Sequence, residues 1–249
     1  MGLNKMLTVQ PLDWDSDFFG FGVGRLVGSI ESGPVLAQAL ADAADSDIQL
    51  TYGQCRHDDV PLHRLCLAAG GRFVDAKRTY ALALAKSAPV LAVSANVSAA
   101  SGDDPAQRRQ LRSLAWQSAA FSRFRVDPAM PANAWRRLYT AWIANSLSGK
   151  FADAVLTYRV DGRIVGMVTV SHGEAKGVIG LLAVDPHWRG RGIARCLLDA
   201  ARQRCLAAGC EALTVVTQGD NLSACRAYDT AGYSLVDEQD IFHFWKQPS

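Results

Sequence analysis

The clearest pattern lies between residues 154 and 233. Ala154–Val160 and Arg163–Val170 are rich in β-branched residues and are separated only by Asp161-Gly162. Two such runs around a turn that needs positive φ predict a β-hairpin. Gly177–Val184 predicts a third strand. From Gly192 to Ala208 the period changes. Ile193, Cys196, Leu197, Ala200 and Ala201 recur at helical spacing, while Arg195, Asp199, Arg202 and Gln203 fall on the other face. Gly209 ends that helix. Leu213–Thr217 predicts a fourth strand, and Leu222–Thr230 a short helix closed by Gly232.

The same reading upstream predicts helices at Val35–Ala44, Pro61–Ala69, Ala106–Ala120 and Pro131–Leu147, and a strand at Thr79–Ala85. Lys86–Pro105 is rich in Ala, Ser and Pro and ends in the turn cluster Ser101–Pro105. A domain boundary is placed there, with an N-terminal α/β domain at 1–88 and a second domain at 89–249. Val90–Val93 is a candidate first strand for the second domain. A short internal repeat links the halves. Ala69-Gly-Gly-Arg-Phe-Val-Asp75 resembles Ala231-Gly-Tyr-Ser-Leu-Val-Asp237, each after a short apolar helix and before an expected last strand. The similarity fits a duplicated half-domain and equally a coincidence of seven residues. In this alignment Cys66 stands opposite Tyr228.

The third strand runs into Asp185-Pro-His-Trp-Arg-Gly-Arg-Gly192 and then directly into a helix. N–H groups in the first turn of a helix have no intrahelical partner and carry the positive end of the dipole, so this junction can hold phosphate. Gly190 and Gly192 have no Cβ to keep a phosphate away, and Arg189 and Arg191 add charge. A Walker A loop is excluded, because no Gly-Lys-Ser/Thr follows. A dinucleotide fold needs a further glycine where Arg195 stands and an acidic residue where the next strand ends in Thr217-Gln218. Taken alone, the loop is also consistent with a plain strand-to-helix turn carrying solvated arginines.

Composition narrows the setting. The chain has 249 residues, 49% apolar, which is enough for a sizeable core. No apolar run approaches the roughly 20 residues of a membrane span. The first residues lack a signal-peptide pattern, and position 6 is Met6 where a myristoylation motif needs Ser or Thr. A net charge of +2 leaves no nucleic-acid footprint. Cys196, Cys205 and Cys225 fall at or beside apolar helix positions, and Cys205 and Cys210 have no zinc spacing with a histidine pair. A reduced, cytoplasmic protein without a metal is expected. His172, His187 and His243 read as structural or solvated.

The element order, with Arg189-Gly190-Arg191-Gly192-Ile193-Ala194 after the third strand, resembles the GNAT acyltransferases. The family motif Gln/Arg-x-x-Gly-x-Gly/Ala falls on those six residues. A second motif, Asn-x-x-Ala-x-x-x-Tyr-x-x-x-Gly-Tyr/Phe, falls on Asn221, Ala224, Tyr228, Gly232 and Tyr233. The resemblance covers about residues 105–249 and implies an α/β (α+β) GNAT fold, a mixed central sheet flanked by helices, beside a smaller N-terminal α/β half-domain. Further pieces resemble a branch that acetylates the amino group of a nucleotide-linked amino-dideoxy sugar, such as a dTDP-4-amino-4,6-dideoxyhexose. These are Pro11–Gly20, Ser122–Arg125, Leu138–Asn145, Ile179–Ala183 and Val216–Gln218 with Asn221.

The resemblance implies acetyl-CoA as co-substrate and a set of roles. The loop residues Arg189, Gly190, Arg191, Gly192, Ile193 and Ala194 would take the pyrophosphate. Leu182, Ala183 and Val184 would pair with the pantetheine, and a bulge near Gly180 would open the sheet. Asn221 would cap its helix and touch CoA. Tyr228 would be the general acid, since a phenol of pKa near 10 can protonate a leaving thiolate. Asp75 aligns with a carboxylate proposed as the base. Phe18 and Phe19 would meet the nucleobase and Arg123 and Arg125 the diphosphate, although Phe18-Phe19 also reads as core and Asp75 as a surface carboxylate. The expected partner is the small-molecule amino-sugar nucleotide, not nucleic acid or membrane, with a homodimer allowed. A GNAT enzyme for another amine (a protein N-terminus, a polyamine, an antibiotic) and a non-catalytic CoA-binding domain stay open as alternatives.

Overall fold

The two β-branched-rich runs between residues 154 and 170 fold into the expected hairpin. In the computed structural model, which describes residues 6–85 and 93–247, Asp161 and Gly162 take φ of 49° and 78°. Both are left-handed, as the two-residue turn requires. In chain order the elements are β1 (Thr8–Pro11), α1 (Asp13–Phe19), β2 (Gly22–Val27), α2 (Gly33–Asp45), β3 (Ile48–Arg56), α3 (Val60–Ala68), β4 (Arg72–Ala83) and β5 (Val97–Ala99). Then come α4 (Pro105–Ser118), α5 (Arg123–Val126), α6 (Ala134–Leu147), β6 (Ala154–Val160), β7 (Arg163–His172) and β8 (Lys176–Val184). The chain ends with α7 (Ile193–Ala207), β9 (Ala212–Gln218), α8 (Leu222–Thr230) and β10 (Ser234–Trp245).

The chain forms two compact units whose segments alternate along the sequence. One comprises Met1–Lys77, Val126–Ala134 and Glu238–Ser249; the other comprises Arg78–Arg125 and Trp135–Asp237. The boundary expected between residues 88 and 89 lies outside the described residues, as does most of the strand expected at Val90–Val93. The strand described in that stretch is β5.

In the N-terminal unit the strand order is β1-β2-β3-β10. β2 runs parallel to β3 (Val23 opposite Leu50), and β10 runs antiparallel to β3 (Asp240 opposite Cys55). Leu36, Ala39, Cys55, Cys66, Phe242 and Phe244 form its core. β2 and β3 carry glycines where neighbours come too close for a side chain. A Cβ on Gly22 would collide with the Asp47 carbonyl, and one on Gly53 would lie 2.6 Å from the Phe244 ring. Those glycines dilute the strand pattern that sequence reading depends on.

In the second unit the order is β4-β9-β8-β7-β6-β5, to which β4 contributes Arg78–Ala83. Ile164–Val170 is buried without interruption, the pattern of a strand covered on both faces. α4 and α7 both pack on β7 and β8.

The repeat in the sequence is also a repeat in structure. β2-α2-β3-α3-β4 and β8-α7-β9-α8-β10 share element order, and each holds a parallel strand pair. The Asp59 side chain accepts from Leu62 N–H at 3.0 Å and that of Asn221 from Ala224 N–H at 3.2 Å, so α3 and α8 start alike. Gly70 and Gly232 then turn the chain at φ of 84° and 87°. The closing strands are exchanged: β10 joins β3, and β4 joins β9.

Candidate active site

The β7–β8 ladder holds the bulge expected near Gly180. Val168 stands opposite Leu182 and Val170 opposite Ile179, so β8 has one residue more than its partner across this step. Thr169, 1% exposed, accepts the Leu181 N–H on its Oγ1 at 2.8 Å. A Cβ on Gly180 would lie 2.9 Å from that oxygen and 3.4 Å from the Trp142 indole nitrogen. Beyond the bulge, Asp185 N–H donates to Val165 O at 2.8 Å. Backbone groups alternate along a strand, so the amides of Leu181, Ala183 and Asp185 face β7. Those of Leu182 and Val184 face the other edge. On that edge the β8–β9 ladder runs from Lys176 opposite Ala212 to Ile179 opposite Val215 and goes no further. The Leu182 and Val184 amides therefore look into the gap where the two parallel strands part.

The loop after β8 is built around Asp185. Its carboxylate accepts from His187 N–H at 3.0 Å and from Arg163 Nη2 at 2.9 Å. Pro186–Trp188 makes one tight turn, and Gly190 and Gly192 follow at φ of 74° and 75°. A Cβ built on either glycine meets nothing within 4 Å, so the backbone there is open above and needs glycine for its conformation. Cys196 N–H closes the first helical bond to Gly192 O at 3.1 Å. The amides of Ile193, Ala194 and Arg195 are left at the helix mouth, and buried Ile193 anchors it. Arg191 lies over the Trp188 ring at 4.7 Å, and Arg189 Nε donates to Val184 O at 3.1 Å. Free amides, an aligned dipole, open space and two arginines suit a pyrophosphate.

α8 is tied to α7 by Arg195, whose Nη1 donates to Thr230 O at 3.0 Å. Tyr228, 3% exposed, shares one hydrophobic cluster with Ile193 and Leu197, and Leu182, Val184 and Trp188 pack against it. Its ring centroid lies 5.5 Å from Tyr80 and 5.8 Å from Tyr233. Burial, then the neighbouring Cys225 and Tyr80, raise the Tyr228 phenol well above its ordinary value. Burial also pushes Tyr80 up, to about 12. Tyr228 thus holds its proton throughout the neutral range.

The remaining expected residues are divided between the units. Arg123 and Arg125 lie in the second unit, with guanidinium carbons 4.8 Å from the Phe124 ring and 4.6 Å from the Trp135 ring. Asp75 lies half-buried on β4 in the N-terminal unit, and α1 of the same unit carries Phe18 and Phe19. Phe18 stacks on exposed Trp14 at 5.1 Å, whereas Phe19 is buried, edge-on to Phe18 at 5.2 Å. His243 is structural in that unit. Fully buried, it bonds through Nδ1 to Asp127 at 2.7 Å, and Trp245 Nε1 donates to the same oxygen at 2.8 Å. Burial opposes ionisation of Asp127, but these donors and the Ala129 N–H outweigh it and hold the carboxyl below its ordinary value. Sequence reading missed Thr169, Trp142 and Tyr80. They are tied to the site by strand register and packing, and no local spacing marks them.

Comparison with known proteins was decisive for the family. Residues 112–233 match the acetyltransferase (GNAT) family. Over 92% of its length the chain is 30% identical to dTDP-fucosamine acetyltransferase of Escherichia coli O6:H1, covering 94% of that protein. The chain belongs to the GNAT acetyltransferase family. Members of this family use acetyl-CoA, and the loop and strand gap described above are suited to it. Other relatives match in part. An acetyltransferase of Sodalis glossinidius is 31% identical over 34% of this chain, which spans 60% of that protein. Spore coat polysaccharide biosynthesis protein SpsD of Bacillus subtilis is 25% identical over 57% of this chain, which spans 49% of it. A GCN5-related N-acetyltransferase from Sphaerobacter thermophilus shares the fold, with a TM-score of 0.64 at 19% identity over 99% of this chain and 76% of that one. A tandem GNAT protein from the clavulanic acid biosynthesis pathway gives 0.58 at 15% identity over 91% and 76%. The expected GNAT fold is therefore the fold found. Among the described residues no helix is long and apolar enough to cross a membrane.

Proposed function

We propose that this GNAT protein moves the acetyl group of acetyl-CoA to the amino group of a nucleotide-linked amino-dideoxy sugar, of the dTDP-4-amino-4,6-dideoxyhexose kind. The match to dTDP-fucosamine acetyltransferase carries this reading, because it covers 92% of this chain and 94% of that one. It therefore takes in most of the N-terminal residues, which an acetyl-CoA site alone does not need. The name of SpsD, a spore coat polysaccharide biosynthesis protein, points the same way. The six cysteines are all free, in keeping with a cytoplasmic enzyme.

In this reading the loop Arg189–Ala194 holds the pyrophosphate, with Asn221 beside the nucleotide. Leu182 and Val184 offer amides to the pantetheine, and Ala183 keeps that strand end bonded to β7. The neutral amine attacks the thioester carbonyl carbon. The C–N bond forms, the C–S bond breaks, and Tyr228 protonates the departing thiolate. Asp75 takes the proton that the amine nitrogen loses, directly or through water. Phe18, held by buried Phe19 and stacked on Trp14, meets the nucleobase, and Arg123 and Arg125 pair with the diphosphate.

The test is a panel assay of thiol release from acetyl-CoA. Amino-sugar nucleotides should give kcat/KM roughly 100-fold above polyamines, peptide N-termini and aminoglycosides. Turnover confined to one of those other amines would overturn the substrate class and leave the acetyl transfer standing.

A further inference from the structure

Cys55, His57, His63 and Asp240 hold no role in the acetyl transfer proposed above, yet they stand together in the N-terminal unit. The β3–β10 register sets Cys55 opposite Asp240, so both side chains stand on one face. His63 comes from the start of α3 and His57 from the turn just after β3. One ligand atom each from Cys55, His63 and Asp240 lies within 4.8 Å of the other two. His57 Nδ1 is 2.7 Å from Asp240 Oδ1, and His63 Nδ1 stands at Asp240 Oδ2. Cys55 and Asp240 are buried, while the His57 side chain is 49% exposed and that of His63 27%.

We propose that this cluster binds a divalent transition metal, with Zn2+ the ion that its ligands suit. Cys55 Sγ, His63 Nδ1 and one Asp240 oxygen would be the protein ligands, with His57 or water in the fourth position. Sulfur and nitrogen in the set disfavour Mg2+ and Ca2+, and one thiolate, one or two imidazoles and a carboxylate match tetrahedral zinc. Ligand atoms at zinc bond lengths lie about 3.3–3.8 Å apart in a tetrahedron. Closing from 4.8 Å or less asks for side-chain shifts on the order of 1 Å. The exposed edge of His57 gives the ion a way in. A hydrogen-bonded His–Asp–His clamp would account for three of the residues and leave the Cys55 thiol without a part. The thiol is therefore what the experiment must follow. No local spacing advertises such a site, because the ligands come from β3, the turn after it, α3 and β10.

The whole protein, stripped with a chelator, is titrated with Co2+ as a coloured stand-in for Zn2+. The expected result is a thiolate-to-cobalt charge-transfer band that saturates at one ion per chain and disappears when Zn2+ is added. Cys55→Ser should lose the band, and His63→Gln should weaken Co2+ binding roughly 10- to 100-fold. Both variants are checked for native circular dichroism. No charge-transfer band in the wild type overturns the proposal. So does an undiminished band in folded Cys55→Ser, which would put the ion on another cysteine. If Cys55→Ser does not fold, unchanged affinity in His63→Gln overturns it as well. None of these readouts depends on which amine is acetylated.

Discussion

A tyrosine can return a proton to a leaving thiolate only while it still holds one, and burial keeps Tyr228 protonated. Tyr228→Phe should therefore lower kcat by about 100-fold or more, with acetyl-CoA affinity nearly unchanged. Steady-state rates and calorimetry check this, and an unchanged kcat would remove the residue as the acid. The same burial fixes the sign of a stability effect. The folded-state pKa lies above the unfolded value of about 10, so the contribution is whole below that pH and is lost as pH rises through the folded value. Wild-type stability should fall above about pH 10, and the Phe variant should flatten that fall in alkaline urea titrations. Gly192 poses a different constraint. It sits at φ 75° with open space above it. Glu there would take a left-handed conformation costing roughly 1–2 kcal/mol and put a negative charge at the helix mouth. Gly192→Glu should weaken acetyl-CoA binding by about 100-fold through charge and bulk, with a separate drop in melting temperature from the strain.

The bulge in β8 works because one side chain takes over a backbone partner's task. Thr169→Val keeps the shape but removes the oxygen that accepts Leu181 N–H, leaving a buried donor at a cost of about 1–3 kcal/mol. The variant should lose that much stability in denaturant titrations. Its kcat/KM for acetyl-CoA should also fall, because the Leu182 and Val184 amides are aimed by this step; Thr169→Ser should restore most of both. Much at this level was legible in the chain. The helices and strands from Ala154 onward lie within a few residues of their expected places, because β-branched runs, the helical spacing from Ile193, Asp161-Gly162 and Gly209 mark them sharply. β2 and β3 were missed because Gly22, Gly24 and Gly53 occupy strand positions for close approach. Of the candidate site, the glycine loop, Asn221 and Tyr228 stood out as local motifs. Tyr80, 148 positions before Tyr228, reaches its ring only through the placement of β4 and could not have been read from spacing.

Duplication was faintly visible in the chain, but the exchange of closing strands was not. Two similar halves offer two similar edge positions, and a sequence pattern is equally satisfied whichever last strand fills which one. Side-chain fit decides. β10 brings Asp240, Phe242, His243 and Phe244 to β3, while β4 brings Tyr80 to the cluster around Tyr228. Residues 1–88 alone would lack the strand that pairs from Leu50 to Arg56, and would lack Asp127 for the Arg72 guanidinium. Residues 89–249 alone would lack the strand beside β9. An exposed edge with half a core cannot offset the chain entropy of folding. Each fragment should therefore show poor near-ultraviolet circular dichroism and no sharp urea transition, and co-expression of the two should restore both signals together with acetyl transfer. A lone 89–249 fragment that unfolds cooperatively and releases thiol from acetyl-CoA at the full-length rate would refute this mutual dependence.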